Sequence, residues 1–201
     1  MCTKSELKEK MISYIHMLPD SGWVFSTSGN MSARCDDGTI LITPSSVPYT
    51  LMKAEDLFEI SPTGEILVAG KNRPTSSLRF HIALMRERKD CNCIIHTHAP
   101  YCLAASTVTD VVPAVTLNEK LLLASDGILT SPYAENGSEE EAANILKAIG
   151  EKNNCCLMQN HGVVTIGADI ENAWIHMGYA EDCCRIWLLA QSTGRKVSYI
   201  E

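Results

Sequence analysis

The stretch around which the chain can be read is CNCIIHTHAPYC, residues 91 to 102. An apolar run ends there in two histidines one residue apart, and a proline follows. CIIHTH reads as a short buried strand, and Pro100 suits the first turn of a helix after it. Residues i and i+2 of a strand point to the same side, so His96 and His98 project together. Two readings of the pair stand: polar residues at the rim of a strand, or two imidazole ligands of one metal ion. A short motif is only a hypothesis until its context agrees. A catalytic zinc typically takes three protein ligands and keeps a position open for substrate. His161, in a glycine-terminated turn between apolar runs, is a candidate third ligand, although alone it also reads as an ordinary turn residue. His16, His81 and His176 fall in helical patterns and read as packing or surface residues.

The flanking segments set the strand in an α/β domain. Leu7, Met11, Ile15 and Leu18 recur at helical spacing, with Thr3 and Glu6 placed to form a capping box and Pro19 to stop the helix. NMSARCDDGTILITP reads as a hairpin turning at Asp37-Gly38, and FEISPTGEILV as a second turning at Thr63-Gly64. Residues 77 to 87 look helical, with Ser76 or Ser77 as N-cap. Ser138 and Glu141 suggest a capping box for the helix that Gly150 closes. CCLMQNHGVVTIG gives two strand-like runs broken at residues 160 to 162. A last helix begins after Asp169 and runs to about Gly194. Helices interspersed with mainly antiparallel strands fit a three-layer α/β/α sandwich in one domain, 1–201.

Composition narrows the function. Hydrophobic residues make up 45% of the 201 and charged residues 20%, an ordinary globular balance. The net charge of −7 argues against nucleic acid as a partner. The opening MCTKSELKEKMISYIHML is interrupted by charge every few residues and does not read as a secretory signal. No apolar stretch approaches the ~20 residues that span a bilayer. A cytoplasmic protein with no membrane partner is the expectation. The nine cysteines are odd in number and form no CxxC pair, so they read as reduced, mostly buried thiols.

Three segments share a character: STSGN (26 to 30), TPSS (43 to 46) and PTSS (74 to 77). Small hydroxyl side chains and turn-forming residues recur in each. Such turns can be plain caps. They can also form nests whose N–H and O–H groups bind phosphate without net positive charge. PTSS also precedes a helix, whose N-terminus favours an anion.

Taken together, SGNMSAR, ITPSSVPY, RPTSSLRFH, IIHTHAPYC, the SPYA segment and LMQNHGVV follow one another as in the class II aldolase/adducin family, which the chain resembles over nearly its whole length. The resemblance implies an α/β/α sandwich around a mainly antiparallel sheet, assembled as a homotetramer with active sites between subunits. It implies a divalent, zinc-type ion on His96, His98 and His161. It implies binding of a substrate phosphate by Gly29, Asn30, Ser45, Ser46, Thr75 and Ser76. It also makes Tyr199, in the C-terminal tail, a candidate to serve a neighbouring subunit's site.

One departure bears on the chemistry. The fuculose-phosphate aldolase branch carries a glutamate after the PTSS-like segment, as metal ligand and acid/base, whereas this chain has Ser77. A serine hydroxyl is no base near neutral pH without activation. Glu119, in TLNEKLLL, falls where the dehydratase branch has its catalytic glutamate and is the candidate replacement. As a residue in its own right it reads as a solvated charge beside Lys120. The implied reaction is lyase chemistry on a ketose phosphate through a metal-stabilised enediolate: aldol cleavage to dihydroxyacetone phosphate and an aldehyde. The alternatives are dehydration of methylthioribulose 1-phosphate and decarboxylation of a sugar-acid phosphate. A non-catalytic adducin-like module is the reading from another class, and three retained histidines argue against it.

Overall fold

In the computed structural model of the protein, residues 3–123 and 127–200 are described. The strands are β1 (Asn30–Arg34), β2 (Ile40–Ile42), β3 (Phe58–Ile60), β4 (Ile66–Val68), β5 (Cys93–Thr97), β6 (Val111–Pro113), β7 (Gly127–Ser131), β8 (Cys155–Met158) and β9 (Gly162–Gly167). The helices are α1 (Lys4–Ser21), α2 (Leu78–Glu87), α3 (Pro100–Ser106), α4 (Leu117–Leu122), α5 (Glu139–Ile149) and α6 (Ile170–Ser192). The strands form one sheet in the order β4-β3-β2-β1-β5-β9-β8-β7-β6. Every neighbouring pair is antiparallel except β7–β8. The histidine-bearing strand β5 is therefore the middle of the sheet.

Two cores cover the two faces. On one, Met11, Ile15 and Leu18 of α1 and Cys102 and Ala105 of α3 pack with Ala173, Met177 and Cys184 of α6 against Met31, Cys93, Ile95 and Val163. On the other, Phe80 and Leu84 of α2 and Ala142 and Ile145 of α5 pack against Ile42, Ile94, Cys156 and Val164. This is the expected α/β/α sandwich. The alternation along β5 is explicit: Cys93 and Ile95 go to one core, Ile94 to the other, and His96 follows Ile94 onto the α2/α5 face, where Phe80 meets its ring edge-on.

Local signals place most elements where the chain suggests. Both hairpin turns carry their glycine in the left-handed region, Gly38 at φ 85° and Gly64 at φ 100°. Thr3 and Glu6 make the reciprocal capping box, and Pro100 opens α3. Two expectations fail. Pro19 does not stop α1, which runs on to Ser21 and ends on Gly22 at φ 75°. A proline in the last turn forfeits only one N–H bond, and the left-handed glycine makes the actual stop. At α5, Ser138 accepts the Glu141 N–H, but the Glu141 carboxylate accepts from the Gly137 N–H rather than returning to Ser138. Among the described residues eight cysteines are buried and unpaired, and no helix is long and apolar enough to cross a membrane.

Candidate active site

The topology explains why segments far apart in sequence meet. β5 runs antiparallel to both β1 and β9, so its C-terminal end lies beside the start of each. Asn30 is the cross-strand partner of His96, and Thr97 pairs with Val163 just after the turn that carries His161. Two glycines permit the close approach. A Cβ on Gly29, at φ 88°, would come within 2.5 Å of the His96 carbonyl oxygen, and one on Gly162 within 2.3 Å of that of Thr97. Neither contact is sterically possible, so a side chain at either position would push these loops off the strand end.

His96, His98 and His161 come together there. Their ring centroids lie 4.9–5.2 Å apart, and one nitrogen from each falls within 4.8 Å of the other two. His96 Nδ1 lies 3.0 Å from the Val163 carbonyl oxygen. A carbonyl only accepts, so Nδ1 holds the proton and Nε2 keeps its lone pair. Burial, with the neighbouring His161 and His98, holds the His96 ring well below the usual imidazole range. Burial and His161 push His98 down to about 4. Both rings are neutral at pH 7 and able to ligate. Three imidazoles around one point, one of them locked in a metal-binding tautomer, fit a divalent ion with a position left open.

The hydroxyl turns share the same cavity, of about 270 Å³. Gly29, Asn30, Ser45, Ser46, Thr75, Ser76 and Ser77 line it together with the three histidines. TPSS and PTSS are held side by side by a Pro44–Pro74 bridge, by the Ser45 N–H on the Arg73 carbonyl (2.8 Å) and by the Thr75 N–H on the Thr43 carbonyl (3.2 Å). The buried Tyr49 hydroxyl donates to the Ser28 carbonyl (2.9 Å) and ties down the STSGN loop. Asn30 is set by a buried chain: Ser32 Oγ lies 2.7 Å from His81 Nδ1, and His81 Nε2 lies 2.5 Å from Asn30 Oδ1. Nε2–H donates to Asn30 while Nδ1 accepts from Ser32, and burial pushes the ring down to about 3. With Oδ1 occupied, the Asn30 amide keeps its N–H donors for the cavity.

A family model, that of the class II aldolase and adducin N-terminal domain, matches residues 9–188. The chain belongs to this family. An L-fuculose phosphate aldolase of Haemophilus influenzae is 29% identical over 195 residues, covering 96% of this chain and 88% of that one. A 5-deoxy-D-ribulose 1-phosphate aldolase of Bacillus thuringiensis is 27% identical over 188 residues, covering 93% and 86%. A solved L-fuculose 1-phosphate aldolase superposes with a TM-score of 0.91 at 26% identity, covering 100% of this chain and 92% of that one. This class II aldolase-family chain is an enzyme of the lyase type.

Two sequence candidates lie elsewhere in this class II aldolase-family fold. Glu119 is buried, not a solvated charge, and it does not line the cavity. Its carboxylate caps its own helix, accepting from the N–H groups of Val115 (3.0 Å) and Thr116 (2.9 Å). It also lies against the Cys183 thiol of α6 and helps burial to raise that thiol. The capping bonds occupy one oxygen of that carboxylate, Oε2. Glu119→Ala is therefore expected to lower stability by about 1–2 kcal/mol while turnover per folded molecule stays within about threefold, a margin of well under 1 kcal/mol in barrier. Chemical denaturation and steady-state rates check this, and a thousandfold loss of turnover in a well-folded variant would place Glu119 in catalysis. Tyr199 is about half exposed, with its hydroxyl 3.4 Å from Gln191 Nε2, and does not line this chain's own cavity.

Other residues at the site escaped the sequence reading. Arg73 lines the cavity, and Asn136 donates to Ser76 Oγ at 3.2 Å. Arg73 had a signal, as the cation directly ahead of PTSS. His81 had one too, since Phe80, His81, Leu84 and Met85 make the buried stripe of α2. Asn136 had none.

Proposed function

We propose that the protein is a metal-dependent aldolase that cleaves a ketose 1-phosphate to dihydroxyacetone phosphate and an aldehyde. The supporting observation is that three imidazoles and three hydroxyl-rich turns line one cavity. Relatives named for L-fuculose phosphate and 5-deoxy-D-ribulose 1-phosphate point to the same substrate class. His96, His98 and His161 hold the ion. When bound, it supplies Lewis acidity toward negative charge developing on substrate oxygens. Gly29, Asn30, Ser45, Ser46, Thr75 and Ser76 take the phosphate through N–H and O–H donors, which fixes one end of the sugar and sets the reacting carbons near the histidines. Zinc suits an all-imidazole set. Assembly as a homotetramer, with Tyr199 reaching a neighbour's cavity, belongs to the same proposal.

Arg73 is the arginine on the cavity lining, which otherwise offers neutral donors and imidazoles to a phosphate dianion. Arg73→Ala is expected to raise KM about tenfold with kcat changed much less, as for a contact made equally in ground and transition states. Saturation curves on the best substrate check it; an unchanged KM would leave Arg73 outside recognition.

Dehydration of a ketose 1-phosphate is the second reading, and Ser77 favours it. This residue lines the cavity where the fuculose-phosphate branch has its acid/base, so proton transfer by that route is missing. Incubating metal-loaded protein with a panel of ketose 1-phosphates and identifying products decides the matter. Dihydroxyacetone phosphate with an aldehyde supports the aldolase. Loss of water with the carbon chain intact supports the dehydratase. No product, with no bound ion under metal-replete conditions, would leave the adducin-like module.

A further inference from the structure

The α5 carboxylate that fails to complete its capping box sits beside the metal-site histidine. Glu141 is buried at 4% exposure, in a stripe with Ala142, Ile145, Ala148 and Ile149. A carboxylate on a buried helical face is uncommon unless it is paired. One oxygen, Oε2, accepts the Gly137 N–H at 2.7 Å. The other, Oε1, is buried without a hydrogen-bond partner and lies 3.4 Å from His161 Nδ1. Leaving such an oxygen unpaired is costly, and a modest turn of the imidazole brings Nδ1–H into hydrogen-bond range.

We propose that Glu141 is the positioning residue for His161: it accepts the ring Nδ1–H and so commits Nε2 to the metal ion. The proposal rests on the reading that the three imidazoles hold a divalent cation. His96 is set in the same sense by the Val163 carbonyl, so two of the three rings would have their ligating nitrogen chosen by an acceptor on the far side. Charge makes Glu141 the more consequential of the two. Three imidazole ligands carry no negative charge to a dication, and Ser77 adds none. Among the described residues, Glu141 is the carboxylate in contact with the cluster. A cation on Nε2 would also make Nδ1–H a stronger donor, so ion and carboxylate reinforce each other through the ring. The anchor is rigid, because the Ser138 hydroxyl accepts the Glu141 N–H (3.0 Å) and fixes the first turn of α5.

The test is Co2+ affinity, measured by chelator competition on the full chain, for wild type, His96→Ala, Glu141→Gln and Glu141→Met. Wild type should bind about one ion per chain, and His96→Ala should abolish this. Glu141→Gln keeps the size and an acceptor for Gly137, but turns an amide N–H toward Nδ1 and favours the wrong tautomer. It should bind Co2+ roughly 10–100-fold more weakly, at unchanged stoichiometry and with a shifted visible absorption band. Glu141→Met, which offers neither acceptor nor donor, should show a loss of the same order and covers the case in which the glutamine variant folds poorly. A loss under fivefold in a variant whose apo form melts like wild type overturns the proposal. Absence of Co2+ binding in wild type would instead overturn the three-histidine reading beneath it.

Discussion

His96→Ala should purify without its metal ion and lose turnover by a factor of about 10³ or more, since a Lewis acid at a developing oxyanion is worth several kcal/mol. His96 is the deepest of the three imidazoles, wholly buried beside Phe80. Its replacement removes a ligand, leaves a cavity and strips the Val163 carbonyl of its donor. His98→Ala separates these effects, because His98 is only partly buried, whereas the His96 ring donates to a backbone carbonyl. Both variants should fail to retain an ion through gel filtration, while only His96→Ala should lose appreciable stability. Metal analysis together with denaturant titration reads both quantities. Wild-type metal content in either variant would dissolve the three-ligand site.

The second large effect concerns His81, whose two nitrogens are both bonded inside the protein. His81→Leu leaves Ser32 Oγ and Asn30 Oδ1 buried without a partner, and should cost about 2–5 kcal/mol at pH 7. His81→Gln keeps a donor at the position of Nε2 and should recover much of the loss. The same ring predicts a pH dependence. Burial holds its folded-state value at about 3, below the ~6.5 of an exposed imidazole, so the folded protein disfavours the charged form. The stabilisation is complete above pH 6.5 and is lost as pH falls through 6.5 toward 3. Between pH 7 and 4.5 the metal-free wild type should lose about 2–3 kcal/mol through this group. The buried, depressed His96 and His98 add to the wild-type loss with the same sign, so the wild-type-minus-His81→Gln difference isolates the His81 share. Urea titrations at the two pH values measure it, and a difference that does not change with pH would contradict the placement of this ring.

How far the site could be read from residue order depended on the range of the interaction involved. The histidine pair on β5, the two hairpin turns, the Thr3 capping box and the Pro100 start of α3 are written into a few adjacent residues, and all appear where the periodicity and turn chemistry put them. The three hydroxyl segments were legible as turns. That they line one cavity follows from β1 starting beside the end of β5 and from the bridge between TPSS and PTSS, a convergence which family likeness implied and local pattern could not. Glu119 shows the limit of inference by position. The segment matches a catalytic region, and position alone does not show that one oxygen of the carboxylate also caps its own helix start three residues back. Glu141 shows the converse. It reads as half of a capping box, and a contact 20 residues along the chain, His161 to Glu141, makes it part of the candidate metal centre.

The order of residues by itself determined the strand that carries two imidazoles on one face, the Thr3 cap of the first helix, the proline that opens α3 and the glycines of the two hairpin turns. These depend on dihedral preference and on periods of two and 3.6, which any short window contains. Tertiary structure decided which carboxylate faces the three clustered histidines, which imidazole is sealed away from them, and which cation reaches the cavity. Those outcomes are settled by burial and by partners tens of residues distant, and a buried polar group must be paired with whatever the fold brings within about 3 Å of it.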